Sequence, residues 1–427
     1  MKKVLIISPH FPPINAPDTQ RVRMSLPYYR EMGWEPVVLC VDDRLVEGFR
    51  DPLLVETLPA GLEIHKVGAW PASITRKFGL GSLSMRSYYH FKKKGNELLR
   101  SSDFDLVFFS TSMFHVCALG PYWKRKFGVP FVIDMQDPWR NDYYLSKPRD
   151  QRPPKFRIAY TIDKRLEAAT IPSVDGIVSV SRNYIEMLQE RYPQMKHRPA
   201  VVLPFGTSER DFDVVKTKNL PPQVIKPGDG KINVVYVGAM TKFFLPLLEA
   251  FFQAFAERGP DKHRYHFYFI GTNYTPGAEA RPVEEIAARL GLGDIVTEVP
   301  GRIPYFSALA TLMHADILFI PGSTDPDYNA SKVYNNILAG RPIFSIFNER
   351  SLVKKTIEDC GAGLVVGITG NETAAELVSR IGEKMAAFGS LHLQPTGPHR
   401  QLLAQHSAAN LTKAQTEFFN LIVQAQS

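Results

Sequence analysis

The chain has few cysteines and no long apolar run. Its 427 residues include only Cys40, Cys117 and Cys360, and no two of these have the spacing of a zinc-binding or redox pair. This scarcity argues against a disulfide-stapled fold and is typical of the reducing cytoplasm. No apolar segment approaches the roughly 18 residues that a membrane-spanning helix needs. We therefore expect a cytoplasmic protein that is soluble or lies at a membrane surface.

The second half of the chain lacks the basic excess of the first. Residues 1–200 contain 30 Lys and Arg against 21 Asp and Glu, whereas residues 201–427 contain 21 against 22. The RRM, zinc-finger and basic-zipper patterns of nucleic-acid-binding proteins are missing, which argues against nucleic acid as the partner. A basic first half suits an anionic membrane surface or a phosphate-bearing substrate. Residues 70–94 interleave aromatic side chains with Lys and Arg, so they either lie in a lipid interface or form packed helices with a solvated face.

Short apolar runs rich in β-branched residues alternate with amphipathic segments, which predicts an α/β fold built on parallel sheets. In the first half these runs are 2–8, 35–41, 62–67, 104–110, 130–135 and 176–181; in the second half they are 232–238, 265–271, 294–300, 315–322, 341–347 and 363–368. Residues 204–231, rich in Pro, Gly and charge, read as a linker. We predict two Rossmann-like doubly wound domains facing a cleft, over 1–205 and 206–399, with a helix at 400–427 that packs back on the first.

Loops after the strands carry the candidate residues, because ligands of such sheets bind at the carboxyl ends of the strands. The loop after the first strand lacks the GxGxxG fingerprint of a dinucleotide site, so a dehydrogenase is disfavoured. It offers His10 and Arg21, although a proline-rich turn with solvated arginines explains it equally well.

A second loop of the first half combines acidic, basic and aromatic residues. Asp134 and Asp137 are followed by Trp139 and Arg140, a set suited to acid-base chemistry and to stacking on sugar rings. The alternative is that the two carboxylates only cap the strand end and start a turn. His115 follows another strand and is either a functional group or an ordinary core histidine.

The second half contains two candidate anion sites. Gly238 ends a strand and precedes Lys242, so backbone N–H groups and a full positive charge could hold a diphosphate there. In DPDYNASKVYNNILAGRP, residues 325–342, a polar loop runs into a helix; a plain capped surface loop is the alternative. The candidate residues of this second stretch are Asp327, Tyr328, Asn329, Ala330, Ser331, Lys332 and Asn335.

Taken together, the motifs resemble the family 4 glycosyltransferases of the GT-B fold. The residues that carry the resemblance are ISPHFPP, RVRMSLPYYREMGWEPVVL, FVIDMQDPW, NDYY, VDGIVSVSRNYIEML, VVLPFGTSERDF, INVVYVGAM, ADILFIPG, SKVYNNILAGRPIF and GAGLVV. The resemblance implies metal-independent transfer of a sugar from a nucleotide-sugar to a glycan or lipid-linked acceptor, with retention at the anomeric carbon. It implies no cofactor, a donor site in the second domain and an acceptor site in the first.

Transferred to this sequence, the resemblance assigns roles to individual residues. His115 and Asp137 are expected to be catalytic, and His10, Arg21, Trp139 and Arg140 to lie on the acceptor side. Donor binding is expected at Gly238, Lys242, Arg302 and the candidates between 327 and 335. The pathway implied is synthesis of a surface polysaccharide or glycolipid at the inner face of the plasma membrane.

Three motifs of the family differ in this sequence. Its two Glu eight residues apart are replaced by Asp327 and Asn335, and its Asn-Gly after the interdomain strand is Phe205-Gly206. Its Arg and Lys pair at the diphosphate is reduced to Lys242, with Arg302 as a substitute. Two alternatives therefore remain open: a nucleotide-sugar-binding protein without turnover, and a sugar-nucleotide epimerase on the same fold.

Overall fold

The computed structural model describes residues 1–76, 81–152, 155–273, 279–326, 328, 331–394 and 403–426. The chain forms two compact units, the first comprising Met1–Phe205 with Ala408–Ser427 and the second comprising Gly206–Ser407.

Each unit is built on one sheet. The strands are β1 Lys2–Ile7, β2 Trp34–Val41, β3 Glu63–Val67, β4 Leu106–Ser110, β5 Phe131–Met135, β6 Gly176–Ser179, β7 Ala200–Val202, β8 Ile232–Val237, β9 Tyr265–Ile270, β10 Val296–Val299, β11 Ile317–Ser323, β12 Ile343–Asn348 and β13 Gly363–Ile368. The helices of the described residues are α1 Gln20–Ser25, α2 Ala72–Thr75, α3 Leu83–Ser101, α4 Leu119–Phe127, α5 Phe156–Thr170, α6 Arg182–Arg191, α7 Glu209–Thr217, α8 Leu245–Arg258, α9 Pro282–Arg289, α10 Tyr305–His314, α11 Lys332–Leu338, α12 Leu352–Asp359, α13 Ala374–Gly382, α14 Met385–Leu391 and α15 Ala408–Gln424.

The first unit has a parallel seven-stranded sheet in the order β3-β2-β1-β4-β5-β6-β7. Successive side chains of β1 pack into different cores, Leu5 and Ile7 into one and Val4 and Ile6 into the other. Alternation of side chains along a strand places these cores on opposite faces, so the sheet is covered on both sides. The last helix, α15, contributes Phe419 to the second of these cores, against the rings of Trp34 and Phe108.

The second unit repeats this plan with six parallel strands in the order β10-β9-β8-β11-β12-β13. Its core is rich in phenylalanine, and Phe251 of α8 lies 4.5 Å, between ring centroids, from Phe319 of β11. The central strands are β1 and β4 in the first unit and β8 and β11 in the second. The strand order reverses between the two members of each pair, because the chain adds strands outward first on one side and then on the other. The loops that follow these strands are therefore where such sheets bind ligands.

The predicted α/β class with two Rossmann-like units is confirmed, and every predicted strand exists within about two residues of its predicted ends. Two elements were missed. The strand β7 has only three residues and was too short for its pattern to stand out. The segment predicted to be a linker contains helix α7, in which Phe212 and Val215 are buried and Asp211 accepts a hydrogen bond from Tyr305.

Candidate functional site

A pocket in the second unit opens beside the carboxyl ends of β8 and β11. It holds about 290 Å³ of empty space including its solvent-filled mouth, and we call it the lysine pocket. Its lining residues are Tyr236, Phe244, Ile320, Pro321, Gly322, Tyr328, Lys332 and Asn336. Aromatic and apolar groups thus surround a single lysine.

The side chain of Lys332 lies across the backbone of Gly238. Helix α11 begins at Lys332, and a Cβ added to Gly238 would collide with the lysine ammonium group. Gly238 also has a φ of 146°, which side-chain-bearing residues rarely adopt. The glycine therefore both permits the turn after β8 and leaves room for the lysine.

The ammonium of Lys332 is held by an aromatic ring. It lies 3.4 Å from the Tyr236 hydroxyl and 5.2 Å from the centroid of that ring. Burial, together with the positive charge of Arg302, lowers the pKa of Lys332 to about 8. No carboxylate of the described residues contributes to this pKa. An anion that binds beside such a lysine stabilises its charged form, so the site favours an anionic ligand.

Arg302 follows β10 and is exposed to solvent. It belongs to the same edge of the sheet as Gly238, because the strand-end loops are joined by backbone hydrogen bonds. The N–H of Gly238 donates to Ile270 at 2.8 Å, and that of Gly271 donates to Val299 at 2.8 Å. The Cα of Arg302 lies 3.9 Å from where a Cβ of Gly271 would be. Two cations that repel each other thus lie at one strand edge, which is an arrangement suited to a multiply charged anion.

Lys242 is separate from the Gly238 turn. It is exposed in the turn before α8, which starts only at Leu245, and its Nζ lies 5.6 Å from the Phe243 ring centroid. In the structure Gly238 contacts Lys332, a pairing that the sequence did not predict, and Lys242 stays a predicted donor residue. Sequence spacing missed this because Lys332 is 94 positions further along the chain.

The other predicted donor residues have mixed outcomes. Tyr328 lines the pocket with its ring 5.6 Å from that of Phe244, and Ser331 precedes α11 without a side-chain capping bond. The Asn335 side chain accepts a 2.6 Å hydrogen bond from the Thr207 hydroxyl. Asp327, Asn329 and Ala330 lie outside the described residues.

A second cluster lies at the carboxyl ends of β1, β4 and β5 in the first unit. His10 Nδ1 is 3.0 Å from Asp18 Oδ1, and Oδ2 of the same carboxylate accepts a hydrogen bond from the Thr111 hydroxyl at 2.9 Å. Asp137 is exposed, and desolvation followed by the charge of Asp18 raises the pKa of its carboxyl group. His10 contacts Asp18 directly and Asp137 interacts with it electrostatically, and Asp18 is a residue that the sequence reasoning missed.

Arg21 and Trp139 lie in the interior of the first unit, which disfavours their predicted contact with an acceptor. The Arg21 guanidinium donates to Asp134 at 2.7 Å, and both side chains are buried. Trp139 is 5 % exposed and stacks on Phe114, with ring centroids 5.6 Å apart. Asp134 thus has a structural role as the buried partner of Arg21, which differs from the strand-end cap given as the alternative to catalysis.

His115 and Arg140 both form ion pairs with neighbouring carboxylates of the first unit. His115 lies between the Ser84 hydroxyl at 2.8 Å and the Asp163 carboxylate at 3.0 Å, which join it to α3 and α5. Arg140 pairs with Asp142 at 3.1 Å. Neither contact places these side chains in the His10 cluster.

Comparison with known proteins finds a family model that matches part of the chain. Residues 21–209 match the model of Glycosyltransferase Family 4. No curated protein matches the chain.

Solved structures match over the whole length. Sucrose-phosphate synthase from Thermosynechococcus elongatus is 16% identical, with 100% of both chains covered and a TM-score of 0.62. HepE from Anabaena, solved with UDP and glucose, is 13% identical, covering 99% of this chain and 100% of that one, with a TM-score of 0.58. A UDP-forming α,α-trehalose-phosphate synthase from Burkholderia xenovorans is 11% identical, covers 99% of each chain and has a TM-score of 0.60.

These likenesses establish a shared fold over both units, and the family match covers most of the first. The resemblance predicted from the sequence motifs is thereby confirmed: the chain has the GT-B fold, and residues 21–209 match the model of Glycosyltransferase Family 4.

Proposed function

We propose that the chain transfers a sugar from a nucleotide-sugar to a hydroxyl-bearing acceptor, with retention at the anomeric carbon. The observation that carries this proposal is the pair of cations, Lys332 and Arg302, at the carboxyl edge of the second sheet. A nucleoside diphosphate is the leaving group of such a transfer, and its departure requires the developing negative charge to be stabilised. The two cations supply that stabilisation in place of a metal ion.

In this proposal the donor occupies the lysine pocket and its surroundings. The pyrophosphate lies at the turn after β8 and contacts Lys332, whose ammonium occupies the space that the missing Cβ of Gly238 leaves. The ribose hydroxyls bind at Asn335, whose side-chain oxygen can exchange Thr207 for a sugar hydroxyl. Asp327 remains a candidate for binding the sugar itself, and Asn329 and Ala330 remain candidates for binding the diphosphate.

The acceptor side is proposed at the first unit, around His10 and Asp137. These are polar groups at the carboxyl ends of strands, with some solvent exposure. The acceptor class proposed is a glycan or a lipid-linked glycan of a surface polysaccharide or glycolipid.

A thermal-shift screen followed by product analysis tests the function. The screen uses UDP, GDP, ADP, CMP and TDP sugars, because a ligand at 100 times its dissociation constant stabilises the folded protein by about 2.7 kcal/mol. We expect one nucleotide class to raise the melting temperature and its sugar to appear on an added acceptor with the anomeric configuration of the donor. Stabilisation without release of nucleoside diphosphate would instead identify a binding protein, and an isomerised sugar without acceptor would identify an epimerase.

Nucleotide affinity is expected to fall as pH rises through about 8. Lys332 loses its proton in this range, because burial and Arg302 have lowered its pKa to about 8. At pH 9 about one lysine in ten remains charged in the free protein, so UDP affinity should drop up to roughly tenfold relative to pH 7.5. Both measurements lie above the phosphate pKa of about 6. Calorimetric titration of UDP checks this, and an affinity unchanged between the two values would place the phosphates away from Lys332.

We also propose that the first unit binds an anionic membrane surface. Among the described residues no helix is long and apolar enough to cross a bilayer. Trp70, Ile74 and Tyr89 are nevertheless more than half exposed, in the segment of residues 70–94 that carries Lys and Arg. Exposed aromatic and apolar groups among basic ones favour a lipid interface. We expect the protein to sediment with anionic liposomes at low salt and to remain in the supernatant with neutral ones; equal behaviour with both would contradict the proposal.

A further inference from the structure

The chain passes between its two units twice, through segments that are bonded to each other. It enters the second unit at Gly206, the start of what we call the first crossing segment, and leaves it at Ser407, the end of the second crossing segment. The N–H of Thr207 donates to the backbone oxygen of His406 at 3.0 Å, and Thr207 pairs with Ser407 as an isolated parallel bridge. These contacts all lie within the second unit.

Each crossing segment is also held on helix α11. The hydroxyl of Thr207, a residue that is 2% exposed, donates to the side-chain oxygen of Asn335 at 2.6 Å. The ring of His406 stacks on that of Tyr334, with centroids 4.3 Å apart and an angle of 29° between the ring planes. Tyr334 and Asn335 are consecutive residues of α11. One hydrogen bond and one ring contact therefore fix the two segments to the same turn of helix.

The same helix supplies residues of the lysine pocket. α11 begins at Lys332, and both Lys332 and Asn336 line the pocket. Residues three positions apart share one face of a helix and are separated by about 4.5 Å along its axis, which places Asn335 beside Lys332. A nucleotide whose phosphates contact Lys332 therefore has its ribose within reach of Asn335.

We propose that Thr207 is an autoinhibitory competitor for the ribose, and that a bound nucleotide releases the first crossing segment from α11. This inference rests on the proposed function. A ribose hydroxyl and the Thr207 hydroxyl are donors of the same kind, so a ribose that takes the Asn335 oxygen displaces Thr207. The protein binds nucleotide more weakly than the site allows, because only the fraction of molecules with Asn335 released is competent.

Substitutions at Thr207 test the competition. Thr207→Val removes the hydroxyl at nearly constant shape, whereas Thr207→Ser keeps the hydroxyl and is the matched control. We expect Thr207→Val to tighten UDP binding about two- to tenfold, which is the contribution of one neutral hydrogen bond, and Thr207→Ser to bind UDP as the wild type does. In an Asn335→Ala background the gain from Thr207→Val should vanish. Calorimetric titration measures these dissociation constants.

Inorganic pyrophosphate separates the contribution of the ribose from that of the phosphates. Pyrophosphate can contact Lys332 but carries no ribose, so Thr207→Val should leave its dissociation constant unchanged. A gain with pyrophosphate equal to the gain with UDP would show that the substitution alters the phosphate site, and it would overturn the inference.

Hydrogen exchange of the wild-type protein tests the release without any substitution. Ligand binding ordinarily slows amide exchange, because it stabilises the folded state. Loss of the bond between Thr207 and Asn335 should instead speed exchange of the Thr207 amide about two- to tenfold when UDP is added. Pyrophosphate should leave this rate unchanged. Exchange at Thr207 that is unchanged or slower with UDP would contradict the release.

Failure of this inference can be told from failure of the proposed function. If pyrophosphate and UDP bind the wild type but Thr207→Val binds UDP no more tightly, the competition is refuted and the proposed donor site stands. A wild type that binds neither ligand would refute the donor site, and with it both the proposed function and the role given to Thr207.

Discussion

Asp134→Ala is expected to cost about 3–5 kcal/mol in the free energy of unfolding, because it leaves a buried arginine without its partner. Arg21 and Asp134 are 4 % and 0 % exposed, and their charged groups are 2.7 Å apart. The same carboxylate oxygen also accepts from Ser110 and Gln136, each at 2.8 Å. Removing the carboxylate therefore takes one hydrogen-bond acceptor away from each of three groups in the interior of the first unit: the Arg21 guanidinium, the Ser110 hydroxyl and the Gln136 amide.

Urea denaturation of the full chain checks this, read from the transition of the first unit. Arg30→Ala is the matched control, since Arg30 forms a comparable pair with Glu35 at 2.8 Å but on the surface. Exposed pairs contribute about 0–1 kcal/mol, so this variant should change stability little. Equal effects of the two variants would show that the Arg21 pair is not shielded from water.

Lys332→Ala is expected to weaken UDP binding by about 1.5–3 kcal/mol, or roughly 10–150-fold, because it removes a charge-assisted contact to the pyrophosphate. The loss of packing should be small, since the ammonium touches only the ring of Tyr236 and the backbone at Gly238 among the contacts described above. The fall in affinity between pH 7.5 and 9 should disappear in the same variant. Calorimetry with UDP measures both quantities.

Lys242→Ala is the comparison that discriminates the two possible phosphate sites. The sequence predicts Lys242 as one of several residues that hold the diphosphate, and in the structure its side chain is exposed beside Phe243. We expect UDP affinity to stay within about threefold in this variant. A large loss with Lys242→Ala and none with Lys332→Ala would place the phosphates at Lys242 instead of Lys332.

The fold could be predicted from the sequence because buried parallel strands form recognisable apolar runs. Runs such as 232–238 and 265–271 are continuous apolar segments, and burial on both faces of a sheet requires that pattern. The one missed strand, Ala200–Val202, is three residues long and only partly buried at its end. Helix α7 was missed because the prolines and glycines around it dominate the composition of residues 204–231.

The candidate site was predicted less completely, because its residues meet only in three dimensions. Gly238 and Lys332 each stood out as residue types near a strand end, but nothing in their spacing indicates that one lies across the other. Nothing in the sequence distinguished Asp18 from other polar residues in loops. Its importance comes from its hydrogen bonds to His10 and Thr111 in the structure. Arg21 was predicted at the surface because arginine usually is, and the buried partner Asp134 lies 113 positions away.

A crystal structure of the protein soaked with UDP would test the proposed pyrophosphate site most directly. We expect a pyrophosphate at the turn after β8, with its oxygens within hydrogen-bond distance of Lys332 Nζ and on the side of Arg302. A pyrophosphate beside Lys242, or a nucleotide bound away from the carboxyl ends of β8 and β11, would contradict it.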